Sequence, residues 1–209
     1  MIVDLGIFPQ SYVSIKPEAG GFFPFAIDGE TPYLYDLSFV DRKDEHEVEE
    51  FVTQWMKKIN LFPIYAFFES FESYQQELDE KCESHSIEST KYNRGDIDFY
   101  YRITLRTIEQ FAAIFPYVYA HGSMNNFACF SFKKDVFSIG AREFKHAWNV
   151  LEELETPITT LEHNTTICWV NYDGDGMILI SNDQKFAQLS CVIETLPDGV
   201  EYSIIEYDE

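Results

Sequence analysis

Residues 32–40 read PYLYDLSFV and residues 44–59 read DEHEVEEFVTQWMKKI. The first stretch alternates, with Tyr33, Tyr35, Leu37 and Phe39 on one side and Asp36 and Ser38 on the other, which is the period of a strand. The second repeats Val48, Phe51, Val52, Trp55, Met56 and Ile59 at the three- and four-residue spacing of one helix face. Asp44 stands where an N-cap belongs. Glu45, Glu47, Glu49 and Glu50 crowd the positive end of the helix dipole, and Lys57 and Lys58 close its negative end. Part of this acidic run therefore has a structural reason.

Working outward, residues 11–40 predict an antiparallel meander. A short run at 12–15 breaks at Gly20-Gly21, Pro24 makes 22–27 an edge or a bulge, and Asp28-Gly29 is a turn signal. Downstream, 61–68 predicts a strand, 71–82 a short helix, 83–95 a polar loop and 97–103 a strand. A helical stripe of Leu105, Ile108, Phe111, Ala112 and Phe115 ends at Pro116. Strands are expected at 117–119, 127–132 and 136–139. A third long helix over 141–155 would bury Phe144, Ala147, Trp148, Leu151 and Leu154. Residues 167–171 and 177–181 flank Asp173-Gly174-Asp175-Gly176 as a hairpin. Asp183 can cap a further helix, and Asp198-Gly199 turns into a terminal strand at 200–205. Strands outnumber helices and come in runs. The expected class is α+β: mostly antiparallel β-sheet with three to four amphipathic helices packed on it. One domain over 1–209 is expected, with a soft sub-boundary near 83–95.

The chain holds 36 acidic and 15 basic residues, a net charge of −21 in 209 residues. Aromatics make up 17%, too many for an acidic disordered chain, so the charge must coat a core. Residues 91–146 hold eight bases against five acids, whereas 171–209 hold nine acids and one base. Such a balance opposes nucleic acid and anionic membrane and favours a basic protein partner. Arg102 and Arg106 are expected to pair with the chain's own carboxylates. No apolar run reaches membrane-spanning length. The scattered Cys82, Cys129, Cys168 and Cys191, with no secretory signal at the start of the sequence, suit free thiols and a cytoplasmic location.

No motif names a reaction. Asn171-x-Asp173-x-Asp175-Gly176 resembles the start of a calcium loop, but the twelfth position is Asn182 rather than a bidentate Glu, and a tight Asp-Gly hairpin accounts for the same residues. Cys82-x-x-His85 lacks the second pair a zinc site needs. His121-Gly122-Ser123 beside Cys129 lacks an orienting third group. The expectation is a non-enzyme with no catalytic residues, no metal and no cofactor.

In size, acidity, aromatic α+β patterning and lack of a catalytic set, the chain resembles the small acidic immunity proteins of bacterial toxin–immunity systems, the contact-dependent inhibition type included. That resemblance implies one-to-one binding of a cognate toxin, such as a nuclease with a cationic cleft, without turnover. Two other readings stay open: a phage or plasmid nucleic-acid mimic that blocks a host defence protein, and an enzyme with a dispersed active site. For the binding reading two surfaces stand out. One is the hairpin with the C-terminal strand and tail: Tyr172, Asp173, Asp175, Glu201, Glu206, Tyr207, Asp208 and Glu209. The other is the outer face of the first helix, at Glu45, Glu49 and Glu50. Tyr172 and Tyr207 are the aromatic candidates beside charge. The sequence leaves the oligomeric state open.

Overall fold

Among the residues that the computed structural model describes (1–13, 22–94, 98–145 and 151–207), three strands are buried along their whole length: Ala128–Phe132 and the adjacent pair Thr166–Val170 and Gly176–Ser181. A strand buried on both faces must be apolar on both, and the pair is. Cys168, Val170, Met177 and Leu179 join one core; Ile167, Trp169, Ile178 and Ile180 join a second on the opposite face. The rest of the fold is arranged around that pair.

In chain order the elements are β1 (Ile2–Ile7), β2 (Ala26–Gly29), β3 (Tyr33–Val40), α1 (Glu45–Ile59), β4 (Ile64–Phe71), α2 (Glu72–Ser84), β5 (Glu88–Arg94), β6 (Asp98–Leu105), α3 (Ile108–Ser123), β7 (Ala128–Phe132), β8 (Phe137–Lys145), β9 (Leu151–Leu161), β10 (Thr166–Val170), β11 (Gly176–Ser181), α4 (Leu189–Ile193) and β12 (Glu201–Ile205). Nine strands form one sheet in the order β12-β1-β3-β11-β10-β7-β4-β6-β5, antiparallel except for β1 beside β12. A smaller sheet, β2-β9-β8, has one parallel pair. The α-helices contribute to the first core and the small sheet to the second. The class is α+β with mostly antiparallel sheet. Among the described residues no helix is long and apolar enough to cross a membrane.

Local chemistry explains the helix starts. Asp44 accepts from Glu47 N at 3.0 Å, while Glu47 accepts from Lys43 N, one residue before the cap, at 2.9 Å, a variant of the capping box. Thr107 and Gln110 repeat it at α3, with Gln110 N donating to Thr107 and Gln110 Oε1 accepting from Arg106 N. Asn60 ends α1 in the left-handed region.

Several expectations are corrected. The meander at 11–40 does not form, because β2 leaves for the small sheet while β3 pairs with β1 and β11; residues 14–21 lie outside the described residues. The strand β1 was not anticipated. The loop expected at 83–95 contains β5, whose side chains are polar because it is an exposed sheet edge that pairs with β6 alone. The helix expected at 141–155 is instead parts of β8 and β9, paired antiparallel from Phe137↔Thr159 to Lys145↔Leu151. Ala147 and Trp148 of its stripe lie outside the described residues. Pro116 does not end α3 but sits inside it, and 117–119 are helical rather than a strand.

Trp169 centres the second core, with Phe22, Phe23, Phe25 and Tyr172 ring centroids 5.1–5.9 Å from its own. Trp169→Ala is expected to cost about 4 kcal/mol and Trp169→Phe less than half of that, read from urea unfolding midpoints.

Candidate functional site

α3 carries small residues at Ala112, Ala113, Pro116 and Ala120 where it faces α1 and α2. Small side chains at helical spacing leave room, and a cleft of about 400 Å³ opens there. Pro116 has no N–H for the Ala112 carbonyl, and both residues line that space. Glu49 of α1 and Glu77 and Lys81 of α2 border it, and Tyr74, Tyr117, His121 and Met124 complete the lining. Tyr74 and Met124 are among the exposed large apolar side chains. Tyr117 donates to Glu77 at 2.6 Å; burial, followed by that carboxylate, pushes the phenol up to about 12.

Just past the C-terminal end of α3 the chain is tied to the β10–β11 turn. Asn125, next to Met124, donates to Asp173 Oδ1 at 3.0 Å and accepts from Asp173 N at 2.8 Å. The turn is clamped from the other side by Arg42, which donates to Tyr119 OH at 2.7 Å, to the Gly174 carbonyl, and to Asp175 at 3.1 Å. Tyr119 OH also donates to the Gly174 carbonyl, at 2.8 Å. Two features favour glycine at 174: its φ is +66°, and a Cβ there would run into the Ser123 side chain.

The surfaces expected from sequence are brought together in part. Ser38 pairs with Gly176, and Val40 with Ile2, which in turn pairs with Glu201. One end of the sheet thus gathers Asp173, Asp175, Glu201 and, at the start of α1, Glu45. Glu45 and Asp175 both lie close enough to Tyr119 to help burial raise its phenol. Glu49 and Glu50 follow along α1, Glu49 beside the cleft and 3.4 Å from His46. Glu206 is exposed at the far end of β12. Asp208 and Glu209 lie outside the described residues.

The two tyrosines chosen from sequence have their hydroxyls bound within the chain; Tyr172 is half-buried and Tyr207 is exposed. Tyr172 donates to the Phe22 carbonyl at 2.9 Å and packs on Trp169. Tyr207 donates to Asp36, which also accepts from Ser38. Burial raises the Asp36 carboxyl, against the lowering effect of those two donors. The cleft adds the exposed Tyr74 and Met124 and the half-buried Tyr117, whose hydroxyl is bound to Glu77. Of the small residues on α3 that open the cleft, the apolar stripe expected from sequence includes only Ala112, with Pro116 expected to end it.

The chemistry-bearing motifs resolve into structure. The three side chains of the calcium-like loop go to separate protein donors: Asn171 to Tyr172 N, Asp173 to Asn125, Asp175 to Arg42. Among the described residues no group of three or more His, Cys, Asp and Glu is placed to hold a metal ion. His121 and Cys129 belong to opposite faces of the sheet; His121 stacks on Phe68 of the first core, and Cys129 sits in the second. His121 Nε2 lies 3.0 Å from Ser70 Oγ, a fully buried hydroxyl, and Nδ1 has no hydrogen-bond partner, so nothing orients the ring as a base. Arg102 pairs with Asp135 at 2.5 Å and Arg106 with Glu88 at 3.1 Å, as the charge argument anticipated. All four cysteines are free. A comparison with protein-family models, curated proteins and solved structures gives no match.

Two outcomes follow from these contacts. Gly174→Ala is expected to lower stability by about 2 kcal/mol or more in chemical denaturation, through the positive φ and the contact with Ser123. His121 is 1% exposed, and burial holds its imidazole down at about 4, below its ordinary 6.5. The unfolded chain binds that proton first, so the contribution is complete above pH 6.5 and is lost as pH falls towards 4, by up to about 3 kcal/mol. His121→Gln should remove this part of the slope when the two proteins' stabilities are compared across that range.

Proposed function

We propose that this chain is a binding protein that neutralises a basic protein by one-to-one association, in the manner of an immunity protein facing a cognate toxin. The observation that carries the reading is the groove at the meeting of α1, α2 and α3. It offers exposed Tyr74 and Met124 and half-buried Tyr117 beside Glu49 and Glu77, and Asn125, next to Met124, is bonded to Asp173 of the acidic turn. A lysine or arginine side chain laid on such a surface places its stem on the aromatic wall and its charge between carboxylates. Buried aromatic anchors supply most of the energy of an interface, and surrounding charge supplies the encounter rate.

The chain's own cations add support. Arg42, Lys58, Lys91, Arg102, Arg106 and Arg142 are each paired with a carboxylate of the chain. Much of the basic complement is thereby tied up, and the acidic excess faces outward. A nucleic-acid mimic needs only spaced charge. The aromatic wall favours a protein partner that inserts a side chain.

The test uses the product of the neighbouring gene, with association followed by surface plasmon resonance. Nanomolar one-to-one binding is expected, with an on-rate that falls about tenfold or more between low and high salt. Reversing charge with Glu49→Lys and Glu77→Lys should slow association about tenfold, while Tyr74→Ala should chiefly speed dissociation. Micromolar binding, or binding indifferent to salt, would contradict the proposal.

A further inference from the structure

The nine-stranded sheet ends differently at its two edges. β5 at one edge is polar on both faces, and its Lys91 is tied to Asp79 at 2.6 Å; such a strand resists further pairing. β12 at the other edge reads Glu-Tyr-Ser-Ile-Ile. Among the described residues its only strand partner is β1. An edge strand directs alternate backbone N–H and C=O groups away from its neighbour, where a further strand can take them up.

The two faces of this edge differ in chemistry. Tyr202 is in register with Val3, Ile204 with Leu5, and Ile7 with Tyr35. Val3, Leu5 and Tyr35 are buried in the first core, so Tyr202, Ile204 and Ile7 share the helix-covered face of the sheet. They lie beyond the cover of the helices, however, and are 46%, 59% and 65% exposed. The opposite face carries Glu201 and Asp4, with Ser203 donating to Asp4, between the half-buried Ile2 and Ile205.

We infer that this edge accepts an extended segment of a basic protein as a tenth strand, one that alternates apolar residues with Lys or Arg. The period of two matches the edge. Apolar side chains of the added strand lie against Tyr202, Ile204 and Ile7, and its cations lie on the face of Asp4 and Glu201. Charge selects this occupant over a second copy of the chain. Self-association would bring two bodies of net charge −21 together at a strand already bracketed by Glu201 and Glu206. The inference shares with the proposed function only the sign of the partner's charge and uses a different surface from the groove.

The experiment titrates a capped peptide of alternating valine and lysine into the isotope-labelled protein and follows backbone amide shifts. A peptide of alternating valine and glutamate serves as the control. Saturable binding is expected for the lysine peptide alone, with shifts centred on Glu201–Ile205, weakened about tenfold or more by Ile204→Lys and by Tyr202→Lys. Both replaced side chains are exposed, so the variants should keep the wild-type thermal melt. Absence of saturable binding overturns the inference. Shifts confined to residues around the groove also overturn it, while leaving the groove proposal standing. Sedimentation equilibrium that shows a dimer abolished by Ile204→Lys would assign the edge to a second copy, and overturn it as well.

Discussion

A sheet whose central strands are apolar on both faces has to be covered twice, and every other part of this structure answers that demand. Cys168, Val170, Met177 and Leu179 need the helices; Ile167, Trp169, Ile178 and Ile180 need the small sheet and the aromatic run at 22–25. Helices covering one face must pack side by side as well as onto the strands. Where α3 presents alanines and a proline to its neighbours, the packing opens into the groove. The candidate site is thus a product of the covering layer. Where that layer stops short of β12, the sheet is left with an apolar edge.

The charge of the chain takes on meaning once its internal uses are subtracted. Asp44 and Glu47 cap a helix, Asp175 holds Arg42 against the β10–β11 turn, and Asp135 and Glu88 hold arginines of the basic segment. Exposed pairs of this kind add little stability each. Their effect is to tie up cations of the same chain, while Glu45, Glu50 and Glu201 form no ion pair among the described residues. The Arg42 contact does more than pair. It joins the end of β3, the C-terminal part of α3 and the turn, so the acidic loop is held against the helix that lines the groove.

Legibility followed from how one-sided each element's burial is. α1, buried on one face and solvated on the other, was read with its cap and its acidic first turn. The β10–β11 hairpin was legible because Asp-Gly turn chemistry separates two apolar runs. β5 escaped because a polar edge strand has no hydrophobic period. β8 and β9 were misread because spaced apolar residues mimic a helical stripe when strand pairing decides the outcome. Pro116 was read as a stop, yet packing holds α3 together across it. At the site, Tyr172 and Tyr207 stand beside acids in the sequence, and only the fold shows their hydroxyls bound to Phe22 and Asp36. Tyr74 stands in α2, and it meets Tyr117 and Met124 of α3 and its cap only through the packing of α2 on α3.

The central claim is that the groove between α1, α2 and α3, with the adjoining turn, is where a basic partner sits. Amide hydrogen exchange with and without the bound product of the neighbouring gene addresses it directly. The account predicts slowed exchange on complex formation at 45–50, 72–81, 116–125 and 171–175. A complex that leaves all four segments at their free rates would contradict it.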